Sequence, residues 1–85
     1  MTHWTVYSRA GCTLCEQLLE EFGALLGPAA AARVEVVDIS GDEGLEARYG
    51  RRIPVVMADG EFVCAYHLDR DRVDAILSAD AARPQ

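Results

Sequence analysis

The sequence predicts a single α/β domain: a four-stranded mixed sheet flanked by three helices, in the chain order β-α-β-α-β-β-α. Three observations carry this. Short runs rich in β-branched and aromatic residues recur at 4–8, 34–39, 55–58 and 61–65. Apolar residues at helical spacing fill the stretch between the first two runs and return after the last. Asp59-Gly60 joins the third and fourth runs as a hairpin turn, which makes those two strands antiparallel.

The first strand spans residues 4–8, and Arg9-Ala10-Gly11 is a short connection. From Cys12 onward Leu14, Leu18, Leu19, Phe22, Leu25 and Leu26 fall on one helical face, with Glu16, Glu20 and Glu21 largely off it. Gly27-Pro28 stops that helix. Residues 29–33 read as a small-residue connection or a short extra turn of helix. The nearly unbroken apolar run 34–39 predicts a second strand buried on both faces, parallel to the first through a right-handed crossover. Ser40 and Glu43 have capping-box spacing before a short helix over about 42–49, and Gly50 is its stop. Asp69 is positioned to cap the last helix, with Leu68 and Val73 as a hydrophobic staple and Ile76 and Leu77 on the buried stripe. Trp4 is expected to cover a sheet edge, and Tyr7 and Phe62 to lie on strand faces. The domain is expected to occupy residues 1–78, with 79–85 a frayed tail.

Eighty-five residues, 51 % of them hydrophobic, suit one small packed domain. Fourteen acidic residues against eight basic ones, all arginine, give a net charge of −6, which disfavours nucleic acid as a partner. No basic segment followed by an apolar stretch opens the chain, and no run is long enough to span a bilayer. The expectation is therefore a cytoplasmic monomer without membrane association. In a reducing compartment three cysteines, an odd number, point to redox or metal chemistry before structural disulfides.

Cys12-Thr13-Leu14-Cys15 carries that chemistry. Cys12 stands where a strand gives way to a helix, and the unpaired N–H groups and positive end of the helix favour a thiolate there. Cys15, one turn later on the same side, is placed to close a disulfide. Cys12 would attack as the more exposed thiol and Cys15 would resolve the mixed disulfide. Arg9 would add positive charge nearby. Two alternatives stand beside this. Both cysteines can be buried small hydrophobes. Cys64-x-x-His67 can also join Cys12-x-x-Cys15 as a zinc ligand set, although an ample apolar core and a regular helix in one half argue against it, and no metal is expected.

The stretch from Val6 to Cys15 resembles the active-site segment of glutaredoxins: a strand, a basic residue, then CxxC opening a helix. Ile53-Pro54-Val55 is similar to the family's cis-proline segment, and Tyr49 to Pro54 also resembles the corresponding part of thioredoxins. The resemblance covers nearly the whole chain. It implies a thioredoxin-like fold of the glutaredoxin type, sheet order 2-1-3-4 with the fourth strand at an edge, and a cis Pro54 beside Cys12. There the backbone of Ile53 would pair with an extended substrate. Substrate contacts are expected from Arg9, Thr13, Leu14, Arg52, Ile53 and Pro54, with Arg51 and Arg52 able to meet a carboxylate such as that of glutathione.

The chain departs from the family at two places. Thr13-Leu14 stands where glutaredoxins typically have Pro-Tyr, and Cys64-Ala65 where they have Gly-Gly before acidic residues. Without those glycines the backbone cannot approach the tripeptide in the usual manner. The expected activity is dithiol–disulfide exchange on a disulfide-containing protein or a low-molecular-weight thiol. Glutathione or a reductase would donate electrons, and no cofactor would be tightly bound. The competing expectation is a thioredoxin-fold binding module that holds a metal, an iron–sulfur cluster or a partner protein without turnover.

Overall fold

The computed structural model describes residues 2–82. The chain runs β1 (Trp4–Ser8), α1 (Thr13–Leu26), α2 (Pro28–Ala31), β2 (Glu35–Asp38), α3 (Glu43–Tyr49), β3 (Val55–Ala58), β4 (Glu61–Ala65) and α4 (Arg70–Ala82). The sheet order is β2-β1-β3-β4, with β1 parallel to β2 and antiparallel to β3, and β3 antiparallel to β4. This is the predicted mixed sheet in the predicted order. Among the described residues no helix is long and apolar enough to cross a membrane.

The period of two along β1 decides which side of the sheet becomes the core. Trp4, Val6 and Ser8 are buried, whereas Thr5 and Tyr7 on the opposite face are only partly covered. Val6 pairs with Val56, which pairs with Cys64, so a buried row crosses three strands. Leu18 and Phe22 of α1 and Val73 of α4 pack into the same cluster. Trp4 meets Phe22 edge to face, ring centroids 5.0 Å apart. Trp4 is thus a core residue, 5 % exposed, and not the expected cover of a sheet edge.

A bulge between β3 and β4 shifts the register at Val56/Met57. One residue of β4 has no partner there, and neighbouring Val63 and Cys64 are both buried, which strict alternation would forbid. The hairpin turn has positive φ at both Asp59 (50°) and Gly60 (80°), the conformation that Asp-Gly favours.

Three expectations change, and the open reading of the stretch after α1 is decided as helix. The connection after α1 folds into α2, a fourth helix: Gly27 ends α1 at φ 86°, and Pro28 starts α2 at the position where its missing N–H costs nothing. β2 is not buried on both faces. It lies at an edge, where Val36 is 51 % exposed. The cap of α3 is Asp42 and not Ser40. Gly41, at φ 82°, turns the chain and delays the helix, so Asp42 Oδ1 accepts from the Leu45 N–H at 3.0 Å while the Ser40 N–H goes to Asp38 Oδ1. Helix α4, capped by Asp69 as expected, runs on to Ala82. There Asp80 accepts from the backbone and hydroxyl of Thr2, which ties the helix to the start of the chain. Residues 83–85 of the expected tail lie outside the described residues.

Candidate active site

Cys12 is the N-cap of α1. Gly11 adopts φ 78°, which reverses the chain after β1 and brings the Cys12 N–H onto the Arg9 carbonyl at 3.2 Å. Extended backbone at Cys12 (φ −88°, ψ 108°) then aims its sulfur back over the first turn, where Sγ accepts the Cys15 N–H at 3.2 Å. In most helices a serine, threonine or aspartate oxygen fills that role. Here a thiol fills it, so negative charge on Sγ would meet both a directed N–H and the positive end of the helix.

Cys15 sits one turn behind, 2 % exposed, while Cys12 is half-buried. Burial, and then the contact with Cys12, push the Cys15 thiol up to about 11, with the Arg9 backbone pulling the other way. Cys15 therefore keeps its proton at neutral pH. The pair is an outer sulfur at the N-cap of α1 and an inner one held as a thiol, both free cysteines in this structure.

That asymmetry has a consequence for stability. The folded Cys15 thiol lies above its ordinary value of 9.0, so folding favours the protonated form. The contribution is complete below about pH 9 and is lost as pH rises through about 11. The urea midpoint of the reduced protein is expected to fall across that window, and the fall is expected to be smaller in Cys15→Ser, where the raised Cys64 thiol and Tyr7 hydroxyl still contribute. A midpoint equally pH-dependent in both proteins would contradict the assignment.

The other predicted residues surround the pair unequally. Thr13 is exposed and Leu14 is 37 % exposed, so Leu14 leaves the buried stripe of α1 and faces outward at the site. Arg9 turns to α3, its guanidinium 2.7 Å from Glu46 Oε1. Its charge is thus shared with a carboxylate and is not left wholly to the thiols. The Ile53–Pro54 peptide is cis, as the resemblance implies. Pro54 is buried, and its carbonyl accepts the Tyr66 N–H at 2.9 Å.

The Ile53 backbone, expected to pair with a substrate, has a partner of its own on the donor side. The Ile53 N–H is donated to the Tyr49 carbonyl at 3.1 Å, and the Arg52 N–H reaches the same oxygen at 2.7 Å. The C-terminal end of α3 therefore holds this loop, and the Ile53 N–H is already engaged there. Arg51 and Arg52 are exposed.

Cys64 lies in the core cluster, where burial raises its thiol, and His67 is exposed on the connection to α4. Among the described residues no three His, Cys, Asp or Glu side chains gather as a metal site, so the two halves of the candidate zinc set are not assembled. A recess lies between α1 and this connection, bordered by Leu14, Gln17, Glu21, Tyr66 and His67. Its volume, about 20 Å³, admits little more than one water. Neither cysteine lines it.

Three contributors escaped the sequence reading. Tyr49 stacks on Tyr7 with centroids 4.2 Å apart, which fixes α3 against β1. Burial between the rings raises the Tyr7 hydroxyl above its ordinary range. Glu46 is the second contributor, through Arg9, and Tyr66 is the third. Only Tyr49 carried a signal, through its place in the thioredoxin-like stretch. Glu46 and Tyr66 look like ordinary surface residues.

Comparison with known proteins agrees with this geometry. Residues 3–78 match the glutaredoxin-like domain family (DUF836). Rv0508 of Mycobacterium tuberculosis, itself uncharacterised, is 38 % identical over 80 residues, which cover 89 % of this chain and 78 % of that protein. The solution structure of Ne2328 from Nitrosomonas europaea is 34 % identical, with TM-score 0.75 over 88 % of this chain and 89 % of its own. Oxidised glutaredoxin 2 from Chlamydomonas reinhardtii shares the fold, with TM-score 0.55 at 21 % identity over 93 % of this chain and 74 % of its own. With a cysteine pair opening the first helix and a family match across almost the entire domain, the chain belongs to the glutaredoxin-like domain family.

Proposed function

We propose that the protein is a dithiol–disulfide oxidoreductase in which Cys12 attacks and Cys15 resolves. The observation that carries this reading is the Cys12 sulfur seated on the Cys15 N–H at the start of α1, with the Cys15 thiol buried directly behind it. The Cys12 thiolate attacks one sulfur of a substrate disulfide and expels the other as a thiolate. Cys15 then gives up its proton and attacks Cys12 Sγ, releasing the second substrate thiol. The balance is two electrons to the substrate, one proton from Cys15 and one from solvent, and one Cys12–Cys15 disulfide in the protein. A reductant, either glutathione or a reductase, restores the dithiol.

Leu14 and Thr13 offer contact surface beside the sulfur, and Arg51 and Arg52 offer charge to a substrate carboxylate. Lacking the family's Gly-Gly after β4, the site suits a disulfide presented on a protein surface better than a deeply seated tripeptide. Free thiols in odd number suit a reducing compartment such as the cytoplasm, and the chain would act there as a monomer.

The test is a redox titration with thiol counting. Equilibration with a dithiol buffer is expected to give one two-electron midpoint and the loss of two of three titratable thiols. Repeating it with glutathione and with a reductase as donor identifies the reductant. Retention of all three thiols under every oxidising condition, with no disulfide reduced, would dismiss the reading.

A further inference from the structure

Tyr66, at the border of that recess, is an anomaly. It follows β4 directly, has a bulky side chain and yet adopts φ 69°, a left-handed backbone that such residues avoid. The His67 N–H closes onto the Ala65 carbonyl at 2.8 Å, making a three-residue turn around Tyr66 of the positive-φ kind, which is rare and strained. Strain of this sort survives only where surrounding contacts over-determine it, and it concentrates at functional sites.

The contacts that hold it are specific. The Tyr66 N–H donates to the Pro54 carbonyl at 2.9 Å, and its hydroxyl donates to the Arg51 carbonyl at 2.8 Å. One residue thus grips the 51–54 loop at both ends. The Tyr49 carbonyl holds the same loop through the N–H groups of Arg52 and Ile53. Tyr66, 46 % exposed, borders the recess that Leu14, the residue before Cys15, also lines.

We infer that Tyr66 is a positioning residue: its hydroxyl straps the Arg51–Pro54 loop so that the loop backbone and the two arginines are set for an incoming disulfide substrate before it arrives. This rests on the oxidoreductase reading and adds to it a residue that touches neither reacting sulfur. Fixing the loop in advance removes an ordering cost from substrate docking, so the effect belongs in KM.

The experiment compares wild type, Tyr66→Phe and Tyr66→Gly in steady-state reduction of a protein disulfide, with amide exchange at Arg52 and Ile53 and iodoacetamide alkylation of Cys12. Tyr66→Phe removes only the hydroxyl. It is expected to raise KM about three- to tenfold, the worth of one hydrogen bond, with kcat and the alkylation rate near wild type. Exchange at the two amides is expected to quicken. Tyr66→Gly relaxes the turn and is expected to show the same KM rise, so that loss of docking is separated from loss of stability. Unchanged KM in both variants, or faster exchange without a KM change, would overturn the inference while leaving the redox reading intact. A wild type that reduces no disulfide would remove the redox reading, and this inference with it.

Discussion

Cys12→Ser is expected to reduce disulfide reductase turnover by more than about a hundredfold, because the chain then lacks the sulfur that makes the first bond. The variant should fold normally, since a serine oxygen is itself a good helix cap and can accept the same Cys15 N–H. Cys15→Ser should behave differently. The first attack still occurs, but nothing at position 15 can release the mixed disulfide, so the substrate stays attached through Cys12. Mass spectrometry would read an adduct that dithiothreitol removes. Near-normal activity in Cys12→Ser, or an adduct on Cys64 in place of Cys12, would contradict the assignment. Cys64 serves as the internal control because it lies in the core, 7 % exposed. Loss of that thiol should affect packing and leave redox cycling in place.

Phe22→Ala is expected to cost about 3–5 kcal/mol of folding stability. Phe22 is 1 % exposed, fills the space between α1 and the sheet, and meets the Trp4 ring edge to face. A domain of this size has a total stability of about 5–15 kcal/mol, so one truncation removes a large part of it. The melting temperature should fall by well over about 10 °C. Urea unfolding at constant pH checks this, with Phe22→Leu as a milder companion that leaves a smaller void. A loss under about 1 kcal/mol would mean that α1 does not pack on β1 as described. The consequence reaches the site as well. Cys12 and Cys15 belong to the first turn of the helix that Phe22 anchors, so loosening α1 displaces both sulfurs together.

The parts of the fold set by near neighbours in the chain could be read from sequence. Alternation along residues 4–8, Asp59-Gly60 and the cysteine pair after Gly11 each depend on a few adjacent residues, and the structure has all three. Errors arose where distant residues decide. The apolar run 34–39 promised burial on both faces, but sheet order leaves β2 with a neighbour on one side only. Trp4 found Phe22 through the helix that returns over β1. Ser40 lost its capping role to Asp42 because Gly41 turned the chain first.

The same division holds at the site. The place of the cysteines at the helix start is local and was legible. The pairing of Arg9 with Glu46, the capture of the Ile53 N–H by Tyr49 and the tie from Tyr66 to Arg51 all cross between elements. Tyr66 was the hardest to foresee, since propensity speaks against a left-handed tyrosine and only tertiary contacts select it.

Both outer strands have a strand neighbour on one side only, and their carboxylates act as sentries against stacking between molecules. Glu35 and Asp38 guard β2, and Glu61 guards β4. The Ser40 N–H holds the Asp38 carboxyl below its usual range, so that sentry stays charged further into acid. Crowding of like charge thereby protects a domain whose ladders end open on two sides, and the protection thins as the solution nears the isoelectric point of about 4.7.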